Sequence, residues 1–390
     1  MGRVKTFRSV LFWMHLAAGT AAGVVILIMS VTGVALTYEK PLLEWSDRRA
    51  WTAPSSIDAR PLSPETLLAK VTEARPGTTP IGITLRVDPA APATITLEGN
   101  KALLADPFTG AVIGEPSPRL RSFFRTTTAW HRFLALEGTS RATGKAVTGA
   151  ANLIFLFIVF SGFYLWVPRV WSWIQFKNVL WFRSGLAPKA RDFNWHNVIG
   201  VWTAVPLAIV VLGALPISYP WASNLAYRIV GDTPPAPASV AARPNDQASV
   251  TYVSGGVDAA WIAAQSQIPS WRTMTTRLAS STNAPVVIAV DEGYGGQPQK
   301  RTTFTVNRAS GMVVKAEDFQ SLSAGRRLRS WLRFAHTGEI YGLTGQTIAG
   351  LASAGGAVLV YTGLALALRR LVAWIKRRRN ADAFEQQRAA

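Results

Sequence analysis

The sequence predicts an α-helical membrane protein: four transmembrane helices, with two small α+β domains held outside the membrane. Three observations lead there. Four stretches contain no Asp, Glu, Lys or Arg: Val10–Tyr38, Ala146–Pro168, Phe193–Tyr227 and Ile340–Leu368. Each exceeds the roughly 20 residues that cross a bilayer core. Two polar segments, 39–125 and 228–325, alternate apolar and polar residues between Pro-, Thr- and Ser-rich edges, the pattern of short strands joined by turns. Finally, "FWMHLAAG" at Phe12–Gly19 and "FNWHNVIG" at Phe193–Gly200 each place Phe three residues before a histidine and Gly four after it. A tyrosine, Tyr38 or Tyr219, follows each histidine by 23 residues. The chain reads as a tandem duplication of helix, outer domain, helix.

The elements follow in order. Residues 1–38 form the first helix, whose apolar run is longer than the roughly 7–15 residues of a signal-peptide core, so it stays as an anchor. In 39–125, "SPETLLAKVTEA" predicts a short helix and Ile81–Glu115 several strands. Asp106, with Gly110 and Val112 four and six residues on, marks a turn in which a side-chain acceptor precedes a glycine of positive φ. Residues 126–168 hold a pre-helix and the second helix, with Gly162 seven residues before Arg169. The loop 169–192 is basic. Within it, "WSWIQFKNVLWF" at Trp171–Phe182 reads as an aromatic belt on the lipid surface, with contact to an electron donor as a second reading. The third helix occupies 193–227. In 228–325, "DAAWIAAQSQI" predicts a helix, Pro285–Asp318 predicts strands, and Asn307, Gly311 and Val313 repeat the turn. Residues 326–368 hold a second pre-helix and the fourth helix, with Gly363 seven residues before Arg370, and 369–390 form a basic tail.

The absence of cysteine excludes disulfides, thiolate nucleophiles, iron–sulfur clusters and Cys-based zinc sites. The net charge of +19 invites a nucleic-acid reading. Its distribution argues against one, because much of the basic charge flanks apolar runs as topology signals do. Arg3, Lys5 and Arg8, then Arg169, Lys177, Arg183, Lys189 and Arg191 against Asp192, then Arg369, Arg370, Lys376, Arg377, Arg378 and Arg379 all fall on one side. That side is expected to be cytoplasmic, with both termini, and the polar domains periplasmic, in a bacterial inner membrane. Arg119, Arg121, Arg125, Arg326, Arg327, Arg329 and Arg333 oppose this, clustered before the second and fourth helices.

The chain has only four histidines, and none lies in the outer domains. His15 and His196 enter the first and third helices from the cytoplasmic side; His131 and His336 precede the second and fourth on the other side. Chance placement at membrane interfaces is the bland alternative, but ionisable groups in membrane helices are costly and are functional candidates by default. Zinc would want four ligands, and no acid sits beside these histidines at ligand spacing. Proton relay would favour intramembrane carboxylates, which are absent. Haem fits better: two imidazoles on separate helices clamp one porphyrin iron inside a bundle. The expectation is two haem b groups per chain, with His15 and His196 ligating the cytoplasmic-side iron and His131 and His336 the periplasmic-side iron. Such six-coordinate iron suits electron transfer. Gly19, Gly23, Gly33, Gly200, Gly213, Gly350, Gly355, Gly356 and Gly363 would make room for macrocycles, or simply pack helices closely. Arg125, Arg132, Arg329 and Arg333 are candidates for contacts to the propionates, with interfacial anchoring as the alternative.

The helix-start histidines, the "GLTGQ" stretch and the "SGFYLWVPR" ending resemble the PepSY-associated transmembrane family across nearly the whole chain. That family includes iron-regulated inner-membrane proteins and FoxB-type ferrisiderophore reductases. The resemblance implies PepSY-like outer domains, ligand roles for all four histidines, and passage of electrons through b-type haems to a periplasmic ferric siderophore, releasing Fe(II). No GxGxxG opens a helix after a strand, so the donor would be separate, a quinol or a cytoplasmic reductase. Two rivals stand: a non-redox PepSY-domain scaffold or regulator, and a component of siderophore or metal transport.

Overall fold

The computed structural model describes residues 2–51, 60–167, 172–236 and 253–389. Arg169, part of the basic-loop expectation, lies outside these. The first long helix, α1 (Gly2–Leu36), is followed by α2 (Glu39–Arg49) and α3 (Pro64–Ala74). Strands β1 (Pro80–Arg86), β2 (Ala93–Leu97), β3 (Lys101–Ala105) and β4 (Val112–Gly114) come next, then α4 (Pro118–Phe133) and α5 (Arg141–Trp166). After α6 (Trp173–Leu180), the second half repeats the order with α7 (Pro188–Ser218), α8 (Pro220–Ile229) and α9 (Val257–Gln267). It continues with β5 (Thr273–Arg277), β6 (Val286–Asp291), β7 (Arg301–Val306), β8 (Val313–Glu317), α10 (Ala324–His336) and α11 (Gly342–Ala389).

Among the described residues, four helices are long and apolar enough to cross a membrane, as expected. α1, α5, α7 and α11 form a bundle in which α1 and α7 each pack against both α5 and α11. α1 and α7 therefore stand diagonally opposite. Three boundaries differ from expectation. The first apolar run ends at Leu36, and α2 continues separately. The third breaks at Tyr219, whose backbone is extended, and Pro220 opens α8 at the first helical turn, where its missing N–H costs nothing. The fourth runs past Leu368 into the basic tail, which is helical to Ala389.

The largest difference lies outside the bundle. The two polar segments do not form separate domains; they join in one eight-stranded antiparallel sheet of order β4-β3-β2-β1-β5-β6-β7-β8. The seam is β1 against β5, with Ile83 opposite Thr276 and Leu85 opposite Met274. Gly82 is required there, since a Cβ would stand 2.7 Å from the Thr276 carbonyl oxygen. The sequence hid β5 because Thr273–Arg277 offers a single large apolar residue, Met274.

The two halves mirror each other in detail. Asp106 and Asn307 each accept backbone hydrogen bonds within their turn, ahead of Gly110 and Gly311 at positive φ. The Ser63 hydroxyl caps α3, whereas α9 begins on Gly256. Asp258 instead accepts the Glu65 N–H at 2.8 Å, and Glu65 accepts the Asp258 N–H at 3.0 Å. Each helix's first-turn carboxylate thus meets the positive end of the other helix. One apolar core serves both halves, with Leu67, Ile83 and Ile95 from the first and Val257, Ile288 and Phe304 from the second. Ile288→Ala is expected to cost about 2–5 kcal/mol. Because the core is shared, chemical denaturation of the variant should still melt the whole sheet in one transition. Two separated transitions would contradict a shared core.

Candidate functional site: two histidine pairs

The pairing expected from the duplication is what the fold brings together. His15 on α1 and His196 on α7 face each other across the bundle, ring centroids 6.5 Å apart and planes at 84°. His131 at the end of α4 and His336 at the end of α10 meet with centroids 6.2 Å apart and planes at 44°. Helix-capping serines place the second pair. The Ser117 hydroxyl accepts the Leu120 N–H at the start of α4, and Ser323 does the same for Arg326 at the start of α10. α4 then packs on α1 and α10 on α7. From His15 to Thr32, which touches His131, α1 advances seventeen residues. From His196 to Val210, which touches His336, α7 advances fourteen. At about 1.5 Å per residue, the pairs lie about 21–26 Å apart along the bundle. One is near the end bearing the termini, the other at the end bearing the sheet.

Every ring has its Nδ1 engaged. His15 Nδ1 lies 2.9 Å from the Ser161 hydroxyl, His196 Nδ1 2.9 Å from Thr362, and His131 Nδ1 2.9 Å from Thr32. His336 Nδ1 lies 2.8 Å from the Val210 carbonyl oxygen. The three hydroxyls give their protons to their own helices: Ser161 to Ile158, Thr362 to Val358 and Thr32 to Ile28. Their oxygens are left to accept, and a carbonyl can only accept. His336 therefore carries its proton on Nδ1 and presents the Nε2 lone pair, and the same tautomer lets His15, His131 and His196 donate to their hydroxyl partners. That is the arrangement by which outer-shell groups orient metal-binding histidines. At the sheet end, burial pushes the His131 imidazole down to about 4, with the charges of His336 and Arg132 adding to the fall. Burial also lowers His336, and Arg132 adds to it against the opposing hydrogen bond to Val210. Burial thus disfavours the charged form of both rings.

The spacing suits a shared metal. An imidazole–metal bond is about 2.0 Å, and the ring nitrogen sits about 1.1 Å from its centroid, so two imidazoles on one ion place their centroids about 6.2 Å apart. Each histidine also backs onto a glycine of another helix. A Cβ at Gly162 would stand 3.2 Å from His15 Cε1, at Gly363 3.3 Å from His196 Cε1, and at Gly33 3.6 Å from His131 Cε1. One at Gly213 would stand 3.0 Å from His336 Cβ. Of the other glycines considered, Gly23 packs on Leu364, Gly200 on Leu359, Gly350 on Thr37, Gly355 on Thr203 and Gly356 near Ser30, so these serve helix contact; Gly19 meets nothing within 4 Å. Among the described residues, no group of three or more His, Asp or Glu could hold a metal, which leaves the two pairs as the candidate centres.

The arginines divide. Arg132 is the one whose charge acts on both sheet-end rings. Arg125 reaches Ser122 of its own helix, Arg329 donates to Ser223 on α8 at 2.9 Å, and Arg333 lies 5.5 Å from the Phe334 ring. α4 and α10 together carry eight arginines and no acid. The two tyrosines at matching spacing lie at this end as well: Tyr38 bonds Thr347 on α11, and Tyr219 packs on Gly149 of α5.

A family model, the PepSY-associated TM region, matches residues 12–370. The chain belongs to the PepSY-associated TM region family. The match takes in α5, α7, the sheet and all four histidines, with most of α1 and the first part of α11. The comparison with curated proteins gave no match. α6, in the loop read as an aromatic belt, exposes Trp173, with Trp181 and Phe182 exposed just after it; residue 171 lies outside the described residues.

Proposed function

We propose that this family member is a di-haem electron carrier of the bacterial inner membrane. It takes electrons from a quinol or a cytoplasmic reductase on the side of the termini. It passes them to a ferric siderophore on the periplasmic side, as a FoxB-type reductase would. The observation that carries the reading is the meeting of the four histidines as two facing pairs at opposite ends of the bundle, each ring with its Nδ1 engaged. Haem b, when bound, supplies a one-electron ferric/ferrous couple. The chain's part is to hold it. His15 and His196 would grip one iron and His131 and His336 the other. Ser161, Thr362, Thr32 and the Val210 carbonyl fix the ring orientations, and Arg132 is the first candidate for a propionate. Held between two imidazoles of the chain, such an iron would keep no site for oxygen, which would suit electron transfer. The substrate step is a single electron transfer: Fe(III) in the chelate becomes Fe(II), which oxygen-rich chelators hold far less tightly.

The expected result is that dithionite-reduced, desalted protein reoxidises when mixed anaerobically with a ferric siderophore, followed at the haem α band. Protein that stays reduced with every ferric chelate tried would remove the reductase reading while leaving the electron-carrier reading open to its own test.

A further inference from the structure

At the end of the bundle that bears the termini, acids are scarce. None precedes Glu39, Asp192 is alone between Glu137 and Asp232, and α11 carries none before Asp382. Asp192 lies on the first turns of α7, four residues before His196, and is 1% exposed. At that spacing two side chains share a helix face, about 5–6 Å apart at Cβ. Two guanidiniums clasp the carboxylate. Arg191 donates to Oδ1 from Nη2 at 3.0 Å and from Nε at 3.2 Å. Arg369 Nη1 stands 2.7 Å from Oδ2, an ion contact rather than an aligned hydrogen bond. Arg369 follows Thr362, the partner of His196 Nδ1, by seven residues. α7 and α11 therefore meet twice here, once through the ring and once through the ion pair.

The first half has no counterpart. The residue four before His15 is Leu11, and the residue seven after Ser161 is Pro168. Arg8 instead donates to the Leu165 and Val167 carbonyl oxygens at the end of α5. Both halves set imidazole, hydroxyl and glycine together, yet only the second adds a carboxylate. Thr362 already engages His196 Nδ1, so Asp192 acts on the centre by charge alone. Its two arginines offset that charge only in part: their side chains are 45% and 38% exposed, against 2% for the carboxylate, and water screens exposed charges far more than buried ones. The sheet end is built the other way. Arg132 adjoins His131, α4 and α10 carry eight arginines and no acid, and the acids Asp47 and Glu339 are paired with Arg121 and Lys40. A carboxylate beside an iron couple repels the incoming electron and favours the ferric form, whereas a guanidinium favours the ferrous form.

We infer that Asp192, clasped by Arg191 and Arg369, biases the termini-end centre toward its oxidised state, so that an electron entering there passes on to the sheet end. The inference rests on the function proposed above. Its test is an equilibrium redox titration of the full chain in detergent, in which the component missing from His196→Ala marks the termini-end haem. Asp192→Asn should shift that haem about tenfold toward ferrous at a fixed applied potential, or about 59 mV upward for one electron. Arg369→Gln should shift it the opposite way, and by less, because the arginine is more exposed. The sheet-end haem should keep its potential in both. Neither change buries an unpaired charge: the first leaves two part-exposed guanidiniums, and the second leaves Asp192 with Arg191. A clasp that only fastened α7 to α11 would loosen alike in both variants. Shifts of the same sign, an unmoved potential in Asp192→Asn, or loss of its termini-end haem would therefore overturn the inference. A parent chain that purifies colourless would remove the proposed function and this inference together, an outcome visible before any titration.

Discussion

His196→Ala protein is expected to purify with one haem per chain instead of two. His196 and His15 face only each other, and the other pair lies at least about 21 Å further along the bundle. Losing one imidazole would leave the proposed haem near the termini with His15 as its one protein ligand, while His131 and His336, with their partners Thr32 and Val210, stay untouched. His15→Ala should do the same, and His131→Ala or His336→Ala should remove the other haem. Redox titration would identify which haem is gone, since the same single component should survive in His15→Ala and His196→Ala. If His196→Ala kept both haems, or if it and His15→Ala lost different ones, the pairing would be wrong.

Gly213→Ala should weaken the sheet-end centre without touching a ligand. A Cβ there would lie 2.5 Å from the Leu332 carbonyl oxygen and 3.0 Å from His336 Cβ. The first contact is with backbone, so α10 itself must move away from α7, taking His336 with it. Overpacking of this kind costs about 1–3 kcal/mol. The expected result is a substoichiometric sheet-end haem with the terminal-end haem at full occupancy. Gly200→Ala, on the same helix, meets only Leu359 Cδ2 at 3.6 Å, an ordinary contact, and should keep the sheet-end haem. Full occupancy of both centres in Gly213→Ala would mean that His336 is not held where the α7–α10 contact places it.

The pairs were legible in the sequence because the duplication repeats whole motifs: two helix-start histidines with matching flanks can face one another only if the two units pack around a common axis. Their orientation was half legible. Ser161 and Thr362 precede Gly162 and Gly363 in the matched endings "SGF" and "TGL", so the sequence itself sets a hydroxyl beside each glycine. The Val210 partner was not visible, because a backbone carbonyl carries no residue identity. The joined sheet was hidden for a different reason. Pairing β1 with β5 depends on two edges from distant halves meeting, and neither the polar β5 nor Gly82 advertises it. The arginines before the second and fourth helices could not be assigned individually, since charge patterning alone does not distinguish Arg132, near both rings, from Arg329, turned to Ser223.

The most direct measurement is the pyridine haemochrome of the detergent-purified chain, expressed with ample haem supply and normalised to protein by amino-acid analysis. The account predicts two b-type haems per chain and sharp α and β bands on reduction. A preparation that is pure, folded and colourless would contradict it.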